Sequence, residues 1–366
     1  MKTALVYDRI NKRGGAERIL FALHKLFPDA PLYTSVYSEK SKSWAKAFNI
    51  KPSFLQKIEY FHDNSALASP LTPIAFESFT FDNYDLVISI TSEAAKGIIT
   101  KPGTTHVCYC LTPTRYLWSG YDSYFSNKTL RLFSKPVVSY LRSWDKIASQ
   151  RADHYVSISN EVKKRVKKYY DLDSVVIYPP VMIEKRKNLN KSKGDYFLFV
   201  SRMSRFSYYK KADLVIDAFN RTGFPLIVIG AGPMLETFRK TANENISFFD
   251  NLTDARLAYY YENCKALVFP GLEDFGLVMA EAQTFGKPVI AYGYGGALDI
   301  IAEGRTGLFF EKQTVESLIG ALKKFDEKIY NTAVIEKHAE KFSYDAFKKN
   351  FERFLEEKKL KIYPVK

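Results

Sequence analysis

The sequence is poor in cysteine, tryptophan and histidine, and it has no long apolar run. Three cysteines in 366 residues cannot build a disulfide framework, so the fold must rest on its core, and a reducing compartment is expected. Cys108 and Cys110 are separated by one residue inside an apolar run. They read as strand neighbours, not as a CxxC redox pair or a zinc knuckle, and Cys264 is isolated. His24, His62, His154 and His338 show no metal spacing, so no protein-bound metal ion and no cofactor is expected. No apolar stretch approaches the ~18 residues of a membrane span. Asp8 interrupts the opening apolar run before a signal-peptide core can form. The expected location is therefore cytoplasmic, peripheral on the inner face of the cell membrane. GxGxxG followed by an acid ~20 residues on is missing, which disfavours a nicotinamide dehydrogenase. RNP-like, Cys/His and helix-turn-helix signatures are missing too, so no nucleic acid is expected as partner.

Aromatic residues and positive charge are abundant. The chain holds 28 Phe and 25 Tyr, and 54 Lys+Arg against 40 Asp+Glu leave a net charge of +14. Such an excess implies an anionic partner: a nucleotide, a phosphate or an acidic membrane. With 46% hydrophobic and 26% charged residues, the composition excludes wholesale disorder, collagen and coiled coil, and the length suits two domains.

Short apolar strands are expected at residues 3–7, 85–90, 106–111 and 154–158, separated by helical patterns such as Ile19, Leu20, Leu23, Leu26 and Phe27. Tyr178-Pro179-Pro180 stops this alternation, and a Lys- and Asn-rich stretch follows. Strands then resume at residues 196–200, 226–230, 246–249, 266–269 and 288–291, with helices at 212–220 and 233–241. The expected class is α/β, with two doubly wound, Rossmann-like domains: 1–178, a linker at 179–195, and 196–344. A charged amphipathic helix over 345–366 is expected to return to the first domain. Ligands of such sheets bind beyond the carboxyl ends of the strands.

The sharpest chemistry lies in Pro270-Gly-Leu-Glu273-Asp-Phe-Gly276-Leu-Val-Met-Ala-Glu281. A strand ends at Pro270 and a helix begins within a few residues of Asp274, so the amides of Phe275, Gly276 and Leu277 favour an anion. Eight residues separate Glu273 from Glu281, ~12 Å if fully helical and about two turns into the helix. That is too far for a glycosidase pair, which needs roughly 5–9.5 Å, but suits hydroxyls at the two ends of a nucleotide sugar. The plainer reading is a capping acid followed by a solvated helix glutamate. Gly14-Gly15, between the first strand and first helix, offers amides to a phosphate or acceptor, or simply makes a tight turn.

These segments, in this order, resemble the retaining glycosyltransferases of family 4, which have the GT-B fold. The motifs are Glu273-x7-Glu281, Gly286-Lys-Pro-Val-Ile-Ala-Tyr-Gly with Gly295-Gly296, Gly304-x-Thr306-Gly307-Leu308, Gly14-Gly15-Ala16-Glu17, Tyr178-Pro-Pro-Val181 and Gly230-Ala-Gly232-Pro233. The resemblance runs from about residue 5 to 345. It implies that Glu273 touches donor-sugar hydroxyls, that Glu281 binds the ribose diol, and that Arg202 and Lys210, with Lys211 the alternative, hold the diphosphate. It further implies a front-face reaction in which the donor β-phosphate helps to deprotonate the acceptor. Many relatives carry a histidine where this chain has Leu111, which opens the question of the sugar contact. His106 is a candidate for that contact, although a strand histidine is more often structural. Arg115, in Pro113-Thr-Arg115-Tyr116, is a candidate for acceptor or phosphate, and Asp299 is expected to fix a loop.

The expected activity is transfer of a sugar from a nucleotide-diphosphate sugar to a glycan or polyprenyl-diphosphate-linked acceptor in surface polysaccharide synthesis. A mannosyltransferase-like branch, and hence GDP-mannose, is suggested by Tyr209-Lys-Lys-Ala-Asp-Leu and His106-Val-Cys-Tyr-Cys. The alternatives are a nucleotide-sugar epimerase of the same fold and a non-catalytic nucleotide-sugar-binding subunit. Between Tyr116 and Arg151 cations and aromatics interleave, and Lys163–Lys168 add charge. These read either as an amphipathic helix on an anionic bilayer or as a core helix with a solvated face.

Overall fold

A computed structural model describes residues 1–11, 14–64, 67–184, 194–203 and 210–360. It divides into two compact units, Met1–Pro180 with Phe347–Lys366, and Val181–Ala346. Residues 185–193 of the expected linker lie outside the described residues.

The first unit carries seven parallel strands: β1 Thr3–Tyr7, β2 Leu32–Thr34, β3 Ile50–Pro52, β4 Leu86–Thr91, β5 Thr105–Cys110, β6 His154–Ser157 and β7 Val175–Val176. Their order is β3-β2-β1-β4-β5-β6-β7. The central strands β1 and β4 are buried along their whole length, as a parallel sheet covered on both faces requires. The helix Tyr344–Glu357 buries Phe347, Phe351, Phe354 and Leu355. Its rings meet Phe27, Tyr109 and His154 of the first unit.

The second unit carries β8 Phe197–Val200, β9 Leu226–Ile229, β10 Ile246–Phe249, β11 Leu267–Phe269, β12 Val289–Tyr292 and β13 Gly307–Phe310. All pair in parallel, in the order β10-β9-β8-β11-β12-β13. Each sheet thus reverses its strand order once, between β1 and β4 and between β8 and β11. The carboxyl ends of those strands are where doubly wound sheets open a crevice for ligands.

The segment 116–151 is not one helix. Turns follow Thr114, a four-residue helix spans Tyr121–Tyr124, and a long helix covers Lys128–Ser149 with Pro136 inside it.

Candidate active site

The second unit's switch point brings together residues far apart in the chain. β8 ends at Val200 and delivers an exposed Arg202; β11 ends at Phe269 and delivers Glu273. Lys210 Nζ stands 2.9 Å from Glu273 Oε1, and both side chains are largely buried. The neighbouring Lys211 takes a left-handed conformation (φ 54°) and caps the helix Ala212–Thr222. The preceding residues 204–209, which include Tyr209 of the motif, lie outside the described residues.

Gly276 is the N-cap of the helix Leu277–Thr284 with φ 93°, a region where a side chain is strained. Phe275 is buried against the ring of Phe342, which fixes the turn. The loop after β12 locks it from the other side. Gly296 N–H donates to Glu273 O at 2.9 Å, and a Cβ at Gly296 would lie 2.2 Å from Phe275 O. The site is therefore two loops held backbone to backbone, with Glu273 on one of them.

The helix starts at Leu277, so Glu281 stands about one turn in, where two turns were expected. It is not a solvated glutamate either: it is 2% exposed and accepts a hydrogen bond from Tyr261 Oη at 2.8 Å. Tyr261 is itself fully buried and stacks on Phe285, with ring centroids 5.5 Å apart and planes 9° apart. The sequence reading missed Tyr261, since nothing in Tyr259-Tyr-Tyr261 marks one ring as the partner of a carboxylate.

In the first unit Gly14 is the N-cap of the helix Gly15–Leu26, with an extended backbone and no side-chain cap. Glu17, in its first turn, is buried and accepts a hydrogen bond from Tyr7 Oη at 2.7 Å. The buried Asp8 carboxylate ties the end of β1 to the loop after β4. It accepts from Thr91 Oγ1 and from the amides of Ser92, Glu93 and Ala95, at 2.7–3.1 Å. Asp145, also buried, accepts from Lys96 Nζ (2.5 Å), Thr114 Oγ1 (2.9 Å), Trp118 Nε1 (2.7 Å) and Tyr170 Oη (2.8 Å). This network anchors the loops after β4 and β5. Arg115 lies half-buried in the second of these loops, its carbonyl accepting from Gly120 N–H at 2.8 Å. Leu111 is buried at the end of β5.

The expectation for His106 is corrected. Its side chain has no exposed surface, and its Nε2 lies 2.7 Å from Ser89 Oγ on the neighbouring strand. Burial pushes its pKa down to about 4, so the imidazole is a neutral core group with no face to offer a sugar. Burial likewise pushes the Cys108 and Cys264 thiols up to about 12, so they stay protonated and unreactive. Among the described residues no group of three or more His, Cys, Asp and Glu is placed to hold a metal ion.

Residues 181–349 match the family model described as glycosyl transferases group 1. Over 215 residues, 54% of this chain and 55% of the relative, the sequence is 26% identical to the O-antigen chain mannosyltransferase C of Escherichia coli. Over 192 residues, 49% of each protein, it is 29% identical to the D-rhamnosyltransferase WbpZ of Pseudomonas aeruginosa. The chain thus matches about half the length of these curated relatives. Among solved structures, Anabaena Alr3699/HepE in complex with UDP-glucose superposes with a TM-score of 0.71 at 17% identity, covering 98% of this chain and 100% of that one. Residues 181–349, a little under half of the chain, are thus similar to the glycosyl transferases group 1 family, and the two Rossmann-like units are of the GT-B fold class.

Proposed function

We propose that this protein is a retaining glycosyltransferase that moves a sugar from a nucleotide-diphosphate donor to a glycan or lipid-linked acceptor in surface polysaccharide synthesis. In this reading Val181–Ala346 binds the donor and the first unit binds the acceptor. The observation that carries it is the Lys210–Glu273 pair, formed by the connections that follow β8 and β11, beside the Gly276-capped helix and within the stretch that matches the group 1 model. A diphosphate placed there meets Arg202, Lys210 and the amides of Phe275, Gly276 and Leu277. These groups stabilise the negative charge that gathers on the leaving group as the glycosidic bond breaks. Lys210 leaves Glu273 for the diphosphate and so frees that carboxylate to accept hydrogen bonds from sugar hydroxyls. Glu281, oriented by Tyr261, takes the ribose diol. The donor β-phosphate removes the acceptor proton on the face the leaving group departs from.

Mannose as the sugar, and GDP-mannose as donor, draw support from the relative named as a mannosyltransferase; the neighbour solved with UDP-glucose makes UDP-glucose the competing candidate. An assay of nucleoside diphosphate release across a panel of nucleotide sugars decides between them. Donor converted to an isomer without any acceptor would instead establish the epimerase. Arg202→Ala and Lys210→Ala are expected to lower kcat more than they raise the donor KM, because the charge they meet develops in the transition state. Damage from Lys211→Ala with Lys210→Ala silent would move the role by one residue.

Peripheral attachment to an anionic membrane belongs to the same proposal. Among the described residues no helix is long and apolar enough to cross a membrane. On the helix Lys128–Ser149 the side chains of Phe133, Val137 and Tyr140 stand exposed. Sedimentation with phosphatidylglycerol vesicles, and not with phosphatidylcholine vesicles, is the expected result.

A further inference from the structure

The basic side chains of the helix Lys128–Ser149 and its exposed Phe133, Val137 and Tyr140 lie on different stripes. Lys128, Arg131, Lys135, Arg142 and Lys146 follow one another at spacings of three, four, seven and four residues, which puts them on one stripe. Phe133, Val137 and Tyr140 are spaced by four and three and form another. Phe133 is two residues beyond Arg131, about 200° around the helix. Exposed Leu132 lies between the two stripes, so the cations border the apolar side chains but turn towards a face of their own.

They have a cavity of about 740 Å³ between the helices Tyr121–Tyr124 and Lys128–Ser149, into which Arg131, Lys135, Arg142, Ser139 and Ser143 face together with Tyr121. Two guanidinium groups share the single ring of Tyr121: Arg131 stands 5.0 Å and Arg142 4.5 Å from its centroid. Arg142 is fixed in place, its Nε donating to Leu117 O at 2.7 Å and its guanidinium lying 5.7 Å from the Trp118 ring. Lys135 lies one turn from Arg131 on the same stripe. Like charges gathered on one helix face repel. Asp122, paired with Arg131 at 2.8 Å, is itself exposed to water and adds little. Among the described residues no acidic side chain lines the cavity.

We propose that this cavity is a binding site for the phosphate group of a lipid, separate from the diphosphate site of the second unit. Two guanidinium forks, one ammonium and two serine hydroxyls suit the oxygens of a phosphate ester, which take several charge-assisted hydrogen bonds at once. The phosphate is supplied either by a polyprenyl-diphosphate acceptor or by an anionic phospholipid headgroup. The inference rests on the proposed function only for that choice of source.

The test uses the full chain carrying Arg202→Ala and Lys210→Ala, so that the donor site does not answer for phosphate. Inorganic pyrophosphate is titrated calorimetrically, and phosphatidylglycerol and phosphatidylcholine vesicles are tested by co-sedimentation. Lys135→Gln and Arg131→Gln change exposed side chains and preserve the fixed Arg142. Each is expected to weaken binding about tenfold, the two together more, with an unchanged thermal transition. Pyrophosphate binding lost in these variants supports the site with the acceptor diphosphate as source. Loss of phosphatidylglycerol binding alone supports it with the headgroup as source. Phe133→Ser with Tyr140→Ser is expected to leave pyrophosphate binding intact. Unchanged binding of both probes in the Arg131→Gln/Lys135→Gln protein overturns the proposal, and it does so without touching the donor reading, which is tested separately by nucleoside diphosphate release in the otherwise unaltered chain.

Discussion

Single side chains decide how much of the site was visible in the sequence. Glu273 and Glu281 are legible because their spacing and flanking glycine form a pattern; Tyr261 is not, because a hydrogen bond across 20 residues between two helices leaves no periodic trace. Tyr261→Phe removes the donor to a buried carboxylate while keeping the stacked ring. A hydrogen bond to a charged group contributes about 1.5–3 kcal/mol, so nucleoside diphosphate affinity should fall about tenfold or more by calorimetry. Unchanged affinity would mean that Glu281 does not need Tyr261 to hold its orientation. His106 shows the opposite case, a residue whose polarity suggested chemistry and whose burial removes it. Its folded pKa of about 4 lies below the 6.5 of the exposed group, so the unfolded chain takes up its proton first as pH falls. Stability should therefore decline from pH 6.5 towards 4, by about 3 kcal/mol at most from this residue. A series of melts from pH 7 to 4 should show a shallower decline for His106→Gln than for the parent.

Among elements, the long buried strands were readable and the short ones were not. β1, β4 and β5 have five or six residues and were placed within one residue of their ends. β2, β3 and β7 have three, three and two, and β3 includes Pro52, so too few side chains remain to show alternation or an apolar run. β13 was noticed only as a glycine motif, since its burial is uneven. That motif-level view still found the tightest part of the site, the loop after β12. In Gly296→Ala the new methyl group would meet Phe275 O at 2.2 Å and Phe275 Cα at 2.4 Å, both backbone atoms that cannot swing aside. The Glu273–Gly276 turn must move instead. Turnover should fall by more than about 100-fold, as a shift near 1 Å does to aligned groups, while the thermal transition drops by only a few degrees. Near-normal turnover in this variant would show that the turn is not held by the contact.

At the level of the whole molecule, the two runs of β/α alternation announced two Rossmann-like sheets, and the proline pair at 179–180 falls where the units divide. The strand orders were not readable, because pairing between distant strands depends on crossover geometry that no local pattern encodes. Neither was the cost of separating the units. Arg202, Lys210, Glu273 and Glu281, which the proposed function assigns to the donor, all lie within the continuous segment Val181–Ala346, whereas the first unit needs chain from both ends of the sequence. The terminal helix buries three phenylalanines and a leucine, each side chain worth about 1.5–3 kcal/mol, which together approach the whole stability of a domain. Phe351 is fully buried between rings, so Phe351→Ala should cost about 3–5 kcal/mol and lower the melting of the first unit. The fragment 181–346 should fold alone and hold nucleoside diphosphate with the affinity of the full chain, since every group assigned to the nucleotide is in it. Calorimetry on the fragment, on Phe351→Ala and on the parent separates the cases. Nucleotide binding that survives in Phe351→Ala and in the fragment places the donor site wholly in the second unit. A folded fragment that no longer binds would require the first unit to complete that site.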